Sequence, residues 1–345
     1  MTNQRRSVIA AATFVAVIGV VTACGGSGSG GGAQAGAPAN SGSNAPKTVD
    51  LTVAIPALGI DYNWDITTAK EMGFFSDVGI NATLKNFSGP PDTIAAVASG
   101  SAQFAGGVAT DQTIIAHNKG THVAIVAGEN YALDEIMVKS SIESWSDVKG
   151  KTFGTAAPKS GSTLLLQRAL ESQGLALSDV KMRPFGTTGD RAAALLAGQV
   201  DGASLAQPFD FKAKAAGFTS LATMRDILGK YPFTAHVVNT DYASANPDVV
   251  VNYLRAIVKA QAWLADSANR EKASQILSKY SEAELNLSEQ TWDYVYKTAQ
   301  GAVSGGAISD SDLAPVLTAA KQESGDNSLT LDGVVDTSYL NKAAN

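Results

Sequence analysis

The chain has 345 residues, of which 45% are apolar and 17% charged, so it can bury a core and is not disordered throughout. Its formal net charge of −6 gives no clustered positive surface, which excludes nucleic acid as the main partner. A single cysteine excludes both an intrachain disulfide framework and a thiolate metal cluster, and only three histidines remain as imidazole ligands, so we predict no metal.

The first 48 residues carry targeting and tethering signals. Two arginines precede an apolar run at residues 8–21, and small residues then lead into Cys24, an order that resembles a bacterial lipoprotein signal. The run is shorter than the roughly 18 to 20 residues that a membrane-spanning helix needs. We predict a signal peptide at residues 1–23, lipidation of Cys24 and a flexible Gly/Ser/Ala linker at residues 24–48. A short membrane anchor that keeps its cysteine is the alternative.

The rest of the chain alternates short β-rich runs with helical stretches, which is typical of an α/β fold with mainly parallel strands. A first series predicts strands at 51–55, 80–87, 103–108 and 121–127 and helices at 64–72, 92–99 and 111–118. A second series predicts strands at 152–156, 180–185 and 201–206 and helices at 162–172, 190–197 and 209–215. After residues 233–239 the chain is almost wholly helical, from 247 to 345.

Two stretches resemble each other at a constant offset of 98 residues, which separates Asp92 from Asp190 and Gly100 from Gly198. Each stretch shows a strand, a small-residue loop, an Asp near a helix start and a glycine at the helix end. A chance match in an Ala-rich chain is the alternative. Because ligands bind at the carboxyl ends of strands in open α/β sheets, the pattern indicates two lobes that face each other across a cleft.

Residues 64–87 (WDITTAKEMGFFSDVGINATLKNF) fit the pattern A-x-E-x-G-F-F-x-x-x-G-I/L. This pattern resembles the opening of one family, the solute-binding proteins of nitrate, sulfonate and taurine importers. Residues 148–154 (VKGKTFG), 160–163 (SGST), 195–203 and Gln207-Pro208 resemble its second-lobe pattern. The resemblance covers roughly residues 50–265 and implies a two-lobed type II periplasmic-binding-protein fold, a Venus flytrap, in which the chain crosses between lobes twice. It implies a first lobe at 49–133 plus 240–345, which includes the helical C-terminal region, and a second lobe at 134–239.

The segment Ser160 to Thr163 precedes an amphipathic run and should open a helix, with unpaired N–H groups and a dipole that favour an oxyanion. Gly161, Ser162 and Thr163 are therefore candidate ligand contacts, and ordinary capping by serine is the alternative. The same reasoning adds small-residue loops of the first lobe, at Ser88, Gly89, Gly107 and Thr110.

Aromatic and polar residues at strand ends complete the candidate site. Tyr62 and Trp64 could enclose an organic ligand, with packing in the core as the alternative. Gln207 and Phe209 are candidate polar and apolar walls of the second lobe. Asp61 and Asp65 lie beside the aromatic pair, and an unneutralised carboxylate in the pocket would repel an anion.

The motifs favour binding over catalysis. No G-x-S-x-G elbow occurs, and a related family that makes the thiamine pyrimidine uses a cysteine-rich motif, whereas the one cysteine here is assigned to lipid. We predict a monomeric, extracytoplasmic lipoprotein of the cell membrane that needs no cofactor. It would capture a small organic anion, a sulfonate or carboxylate, or nitrate, for the permease and ATPase of an ABC importer. The alternatives are a heteroaromatic ligand such as a thiamine pyrimidine precursor, favoured if Asp61 or Asp65 faces the cleft, and a non-transport enzyme or signalling lipoprotein.

Overall fold

The computed structural model describes residues 48–87, 89–158 and 160–344. The predicted signal peptide, Cys24 and Ser88 lie outside the described residues, as does the linker apart from Thr48. The described strands are β1 (Val49–Ile55), β2 (Ile80–Asn86), β3 (Phe104–Ala109), β4 (Val123–Tyr131), β5 (Glu135–Val138), β6 (Thr152–Thr155), β7 (Lys181–Pro184), β8 (Gly202–Leu205), β9 (Thr219–Thr223) and β10 (Pro232–Asn239).

The helices include α1 (Trp64–Glu71), α2 (Phe74–Asp77), α3 (Pro90–Ala98), α4 (Thr110–Asn118), α5 (Gly161–Glu171), α6 (Thr188–Leu196) and α7 (Phe209–Ala215). They continue with α8 (Met224–Leu228), α9 (Thr240–Ala245), α10 (Pro247–Ala265), α11 (Arg270–Ser281), α12 (Leu285–Trp292), α13 (Asp310–Ser324) and α14 (Ser338–Ala343). A π-helix at Asp293–Thr298 follows α12 directly. Among the residues described, no helix combines the length and the apolar character that crossing a membrane requires.

Two five-stranded sheets form the two lobes, with orders β2-β1-β3-β10-β4 and β7-β6-β8-β5-β9. In each sheet three neighbouring strands are parallel, and one strand runs antiparallel between its neighbours, β10 in the first sheet and β5 in the second. Each of these antiparallel strands follows a passage of the chain from the other lobe. The predicted two-lobed α/β fold is therefore confirmed.

The offset of 98 residues corresponds to equivalent elements. Helix α3 begins at Pro90 and α6 at Thr188, and strand β3 begins at Phe104 and β8 at Gly202. In chain order, α3 follows the edge strand β2 and precedes the middle strand β3 of the first sheet. Helix α6 likewise follows the edge strand β7 and precedes the middle strand β8 of the second sheet. The repeat thus places the starts of α3 and α6 at matching positions of the two lobes.

Strand pairing changes one expected lobe boundary. The second lobe was expected to extend to residue 239, but β10 pairs with β3 and β4 and belongs to the first sheet. The second passage between lobes therefore lies before Pro232. Strands β5, with the sequence EIMV, and β9, with the polar sequence TSLAT, were not predicted.

The core of the first lobe lies on both faces of its sheet. Every residue of β3 and of β10 is buried, as expected for central strands covered by helices on both sides. The longest of these covering helices, α10, begins with Pro247 in its first turn and buries Val250, Leu254 and Ile257 along one face. This packing holds the strand ends that form the cleft.

Candidate ligand-binding cleft

A cavity of about 80 Å³ lies between the lobes and is lined from both sides. The first lobe contributes Pro56, Ala57, Ile60, Tyr62, Gly89, Pro90, Gly107, Ala109, Phe233 and Thr234. The second lobe contributes Asp134, Ala156, Ser160, Gly161, Ser162, Gly186, Thr188 and Arg191. Most of these residues follow strands or begin helices, so the cavity lies where the two sheets present the ends of their strands.

The start of α5 forms one wall of the cavity. Ser160 caps the helix and accepts a hydrogen bond from the Thr163 N–H at 3.4 Å, while the Ser162 hydroxyl accepts from the Ala156 N–H at 3.0 Å. The N–H groups of Gly161 and Ser162 have no acceptor among the described residues. These two donors, at the positive end of an 11-residue helix, suit an oxyanion.

Gly161 also sets how closely the lobes approach. A Cβ at this position would lie 2.8 Å from the Cζ atom of Phe233, which belongs to the other lobe. Phe233 in turn packs edge to face on Tyr62, with ring centroids 5.1 Å apart. A side chain larger than hydrogen at position 161 would therefore push the two lobes apart or displace the aromatic pair.

Arg191 is the one cationic side chain among the described residues that line the cavity. It is only 4% exposed; its Nε donates to the Ser204 carbonyl at 3.0 Å and its Nη2 donates to the Thr188 hydroxyl at 2.9 Å. Its Nη1 donates to no described residue. Burial lowers the pKa of Arg191 and the nearby Asp134 raises it, but an arginine stays charged in proteins. The cavity therefore holds a buried cation with an unused donor.

Asp134 is the acidic side chain of the cavity wall, and hydroxyl groups hold it. The Tyr62 hydroxyl donates to Asp134 Oδ1, and the Ser204 hydroxyl donates to Oδ2 at 2.9 Å. Burial raises the pKa of Asp134, whereas these two hydroxyl groups and the charge of Arg191 oppose that rise. Its two oxygens are thus already engaged within the protein.

Five of the predicted ligand contacts line the cavity: Tyr62, Gly89, Gly107, Gly161 and Ser162. Gly107 adopts a left-handed φ of 67°, and a Cβ there would lie 3.4 Å from the Tyr62 carbonyl. The start of α3 differs from the expected oxyanion site, because Pro90 and Pro91 occupy its first turn and have no N–H to donate. The two lobes therefore contribute unequally to anion binding.

Other predicted contacts lie away from the cavity. The Thr163 hydroxyl donates to the Ala157 carbonyl at 2.6 Å, and the Thr110 hydroxyl donates to the Pro232 carbonyl at 2.6 Å. Gln207 is buried and donates to the Leu133 carbonyl at 3.1 Å.

Phe209 packs against the core of the second lobe instead of lining the cavity. Trp64 is 2% exposed, donates its Nε1–H to the Ala273 carbonyl at 3.1 Å and packs near Tyr296 and Trp292. Trp64 opens α1, and its side chain is directed into this aromatic cluster. Its packing therefore matches the core alternative that the sequence left open.

Neither Asp61 nor Asp65 lines the cavity. Asp61 is buried where the lobes meet, and its backbone N–H donates to the Gln207 carbonyl at 3.2 Å. Burial, with Asp134 and Asp210 nearby, raises the pKa of Asp61. Asp65 instead contacts His236 in the core of the first lobe.

The cavity residues that sequence reasoning missed include Arg191, Asp134 and Phe233. A signal for Arg191 was present, because it lies three residues after Thr188 and four before Leu195, both buried on the inner face of α6. A charged residue on the apolar face of a helix is typical of a functional site.

Comparison with known proteins identifies the family. A model described as the NMT1-like family matches residues 45–278, about two thirds of the chain. The chain belongs to the NMT1-like family. A relative named as a putative binding protein from Brucella abortus is 25% identical over 252 residues, which cover 69% of this chain and 76% of the relative.

Solved structures share the fold. The alkanesulfonate-binding protein SsuA from Xanthomonas axonopodis pv. citri, bound to MOPS, is 19% identical with a TM-score of 0.70, covering 85% of this chain and 99% of that one. The periplasmic nitrate-binding protein NrtA from Synechocystis PCC 6803 is 16% identical with a TM-score of 0.72, covering 87% and 89%. The desulfurization enzyme DszB also shares the fold, at 16% identity and a TM-score of 0.62. Function must therefore be argued from the cleft.

Proposed function

We propose that this NMT1-like protein captures a small organic anion, a sulfonate or a carboxylate, between its lobes and delivers it to an ABC importer. In this proposal the mature chain is a lipoprotein, anchored through Cys24 on the extracytoplasmic face of the cell membrane. The observation that carries the proposal is Arg191, a buried guanidinium with an unused Nη1 at the wall of the cavity.

Electrostatics favours an anionic ligand. A buried charge without a close counter-ion is costly, and Asp134 is already held by two hydroxyl groups. Asp134 is the nearby counter-charge of Arg191, and an incoming oxyanion would add a second one that accepts from the unused Nη1. The oxyanion would also accept hydrogen bonds from the free N–H groups at the start of α5.

The two-lobed architecture favours capture by closure. Cavity walls come from both lobes, and the chain passes between the lobes at residues 132–134 and again before Pro232. Rotation about these passages would open the cleft and release the ligand. The names of SsuA, NrtA and the Brucella relative support a binding role, and the importer as partner rests on that likeness alone.

Titration with small anions tests the binding proposal. Native mass spectrometry of the purified protein would first identify any ligand that is carried along, and calorimetry would then measure its affinity together with those of short alkanesulfonates and carboxylates. We expect Arg191→Gln to weaken anion binding by roughly 10 to 150-fold, since a hydrogen bond to a charged group contributes about 1.5 to 3 kcal/mol.

The matched control is Arg183→Gln, which removes an exposed arginine of the same lobe, outside the cavity lining. This control should bind anions like the wild type. Equal affinities of Arg191→Gln and the wild type for every anion would contradict the proposal.

A second candidate ligand is a nitrogen heterocycle, favoured by the edge-to-face pair of Tyr62 and Phe233 in the cavity wall and by Asp134 beside it. An aromatic wall encloses a ring, and a carboxylate accepts a ring N–H. Such a ligand would lose affinity in Asp134→Asn and keep it in Arg191→Gln. The same pair of variants therefore separates the two candidates.

A further inference from the structure

Three polar side chains meet in the core of the first lobe, behind the cavity wall. They are Asp65 in α1, Glu129 in β4 and His236 in β10, which are 5%, 2% and 0% exposed. One donor atom of each lies within 4.8 Å of the other two. His236 Nε2 lies 3.0 Å from Asp65 Oδ2 and 3.8 Å from Glu129 Oε1.

The second polar atom of each side chain is within hydrogen-bonding distance of a group outside the cluster. Asp65 Oδ1 accepts from the N–H of the next residue at 2.7 Å, and Glu129 Oε2 accepts from the Gly107 N–H at 2.5 Å. His236 Nδ1 lies 3.0 Å from the Tyr253 hydroxyl. The remaining atoms, Asp65 Oδ2, Glu129 Oε1 and His236 Nε2, are turned toward one another. Glu129 Oε1 is fully buried and has no hydrogen-bond partner among the described residues.

We propose that Asp65, Glu129 and His236 bind a divalent transition-metal ion of the zinc type. Metal–ligand distances of 2.0 to 2.2 Å place the ligand atoms of a tetrahedral site about 3.3 to 3.6 Å apart. The observed 3.0 and 3.8 Å lie on either side of that spacing. Imidazole together with two carboxylates is a donor set for zinc rather than for calcium or magnesium.

Charge balance supports a dication at this position. Two carboxylates and a neutral imidazole carry a charge of −2, which a dication cancels. The outer hydrogen bonds are those that orient metal ligands in proteins, with Tyr253 on the second imidazole nitrogen. The competing arrangement is a proton on Glu129 that is shared with Asp65, and burial beside Asp65 does raise the pKa of Glu129.

A cavity lies next to this cluster and is separated from it by Gln261. This cavity of about 300 Å³ is lined by Gln261, Tyr296 and Ser304, among others. The Gln261 Nε2 donates to Asp65 Oδ2 at 2.9 Å, and its Oε1 has no partner among the described residues. Rotation of this one amide would bring Oε1 toward the cluster as a fourth ligand, after two carboxylate oxygens and one imidazole nitrogen. The bound ion would hold Glu129, and through it the backbone of Gly107 in the cleft wall.

The test uses the tag-free mature protein, freed of metal by a chelator and titrated with Zn²⁺ and with Co²⁺. We expect one Zn²⁺ per chain by elemental analysis, a rise in Tm on zinc addition and the visible absorption of four-coordinate Co²⁺. Glu129→Gln should abolish the cobalt spectrum and weaken zinc binding by more than about 100-fold. Tyr253→Phe, which removes only an outer hydrogen bond, should weaken it by about 10 to 100-fold.

The matched control is His122→Gln, because the exposed His122 lies 2.7 Å from Asp241 and could hold zinc at the surface. This variant should bind Zn²⁺ like the wild type. Glu129→Gln replaces a carboxyl by an amide of the same shape, and its circular dichroism and Tm without metal show whether it folds. Absence of zinc binding by the wild type would overturn the proposal in favour of the shared proton. Zinc retained in Glu129→Gln, or lost in His122→Gln, would also overturn it.

Discussion

Gly161 is the position where one added methyl group should separate closure of the lobes from stability of the fold. In Gly161→Ala the new Cβ would lie 2.8 Å from Phe233 Cζ and 3.1 Å from Cε2, whereas carbon atoms pack best at about 3.5 to 4.0 Å. Phe233 has little freedom to yield, because it is buried against Tyr62. The overlap should therefore raise the free energy of the arrangement in which the two lobes are closed.

The size of the effect follows from overpacking. One extra methyl group in a packed site costs about 1 to 3 kcal/mol, which corresponds to a roughly 5 to 150-fold loss of ligand affinity if only the closed, ligand-bound arrangement carries it. Gly161 is the first residue of α5 and has no left-handed φ, so alanine there should stabilise the open, ligand-free fold by about 0.4 to 1 kcal/mol, because it lowers the entropy of the unfolded chain. Affinity should fall while Tm in the absence of ligand does not.

Calorimetric titration with the ligand, together with small-angle scattering, measures both consequences. The radius of gyration of Gly161→Ala with saturating ligand should stay larger than that of the wild type. Gly186→Ala is the control, because it also adds a methyl group to the cavity wall but meets only Asp190 Oδ2, at 3.8 Å. The double variant Gly161→Ala/Phe233→Leu should regain affinity. Wild-type affinity and compaction in Gly161→Ala would refute the reasoning.

Three further predictions concern other parts of the chain. Asp111→Asn should raise the free energy of unfolding at pH 7 by about 1 kcal/mol or more, since burial and Glu323 raise the pKa of Asp111 to about 7. A carboxyl with a raised folded-state pKa destabilises the fold above its unfolded pKa of about 3.9, so the gain should shrink toward pH 4 in urea titrations. Trp64→Ala should cost about 3 to 5 kcal/mol of stability by the same method and, once folded, leave ligand selectivity unchanged. Cys24→Ser should abolish incorporation of a fatty-acid analogue in metabolic labelling, and wild-type protein that stays unlabelled would contradict the predicted anchor.

The sequence predicted the fold best where the same pattern of strand, loop and helix occurs twice. Strand, loop and helix recur 98 residues apart, and glycine follows each helix, so the sequence alone pairs the starts of α3 and α6 correctly. Strand β10 was harder to assign. The sequence of a strand does not show which sheet the strand joins. Only the pairing of β10 with β3 and β4 shows that it belongs to the first sheet.

The candidate site was accessible only in part. Helix starts and glycines can be read locally, which is why Gly161, Ser162 and Gly107 were found. The direction of a side chain depends on its place in the helix and on distant partners. Tyr62 and Trp64 are two residues apart, yet one faces the cleft and the other packs under α11. Arg191 was missed because its burial depends on the packing of α6 against Ser204 in β8, which the local sequence does not show.

The two sheets differ in how soon they can be completed during synthesis. All five strands of the second sheet come from one continuous segment, Glu135 to Thr223, whereas the first sheet needs β10 between β3 and β4. A ribosome that has released residue 230 has delivered a complete second sheet and a first sheet without a central strand. We expect the second lobe to form first. Until β10 is synthesised, the edges of β3 and β4 that pair with it lack their backbone hydrogen-bond partners. A nascent chain stalled before Pro232 would thus be the form most exposed to aggregation.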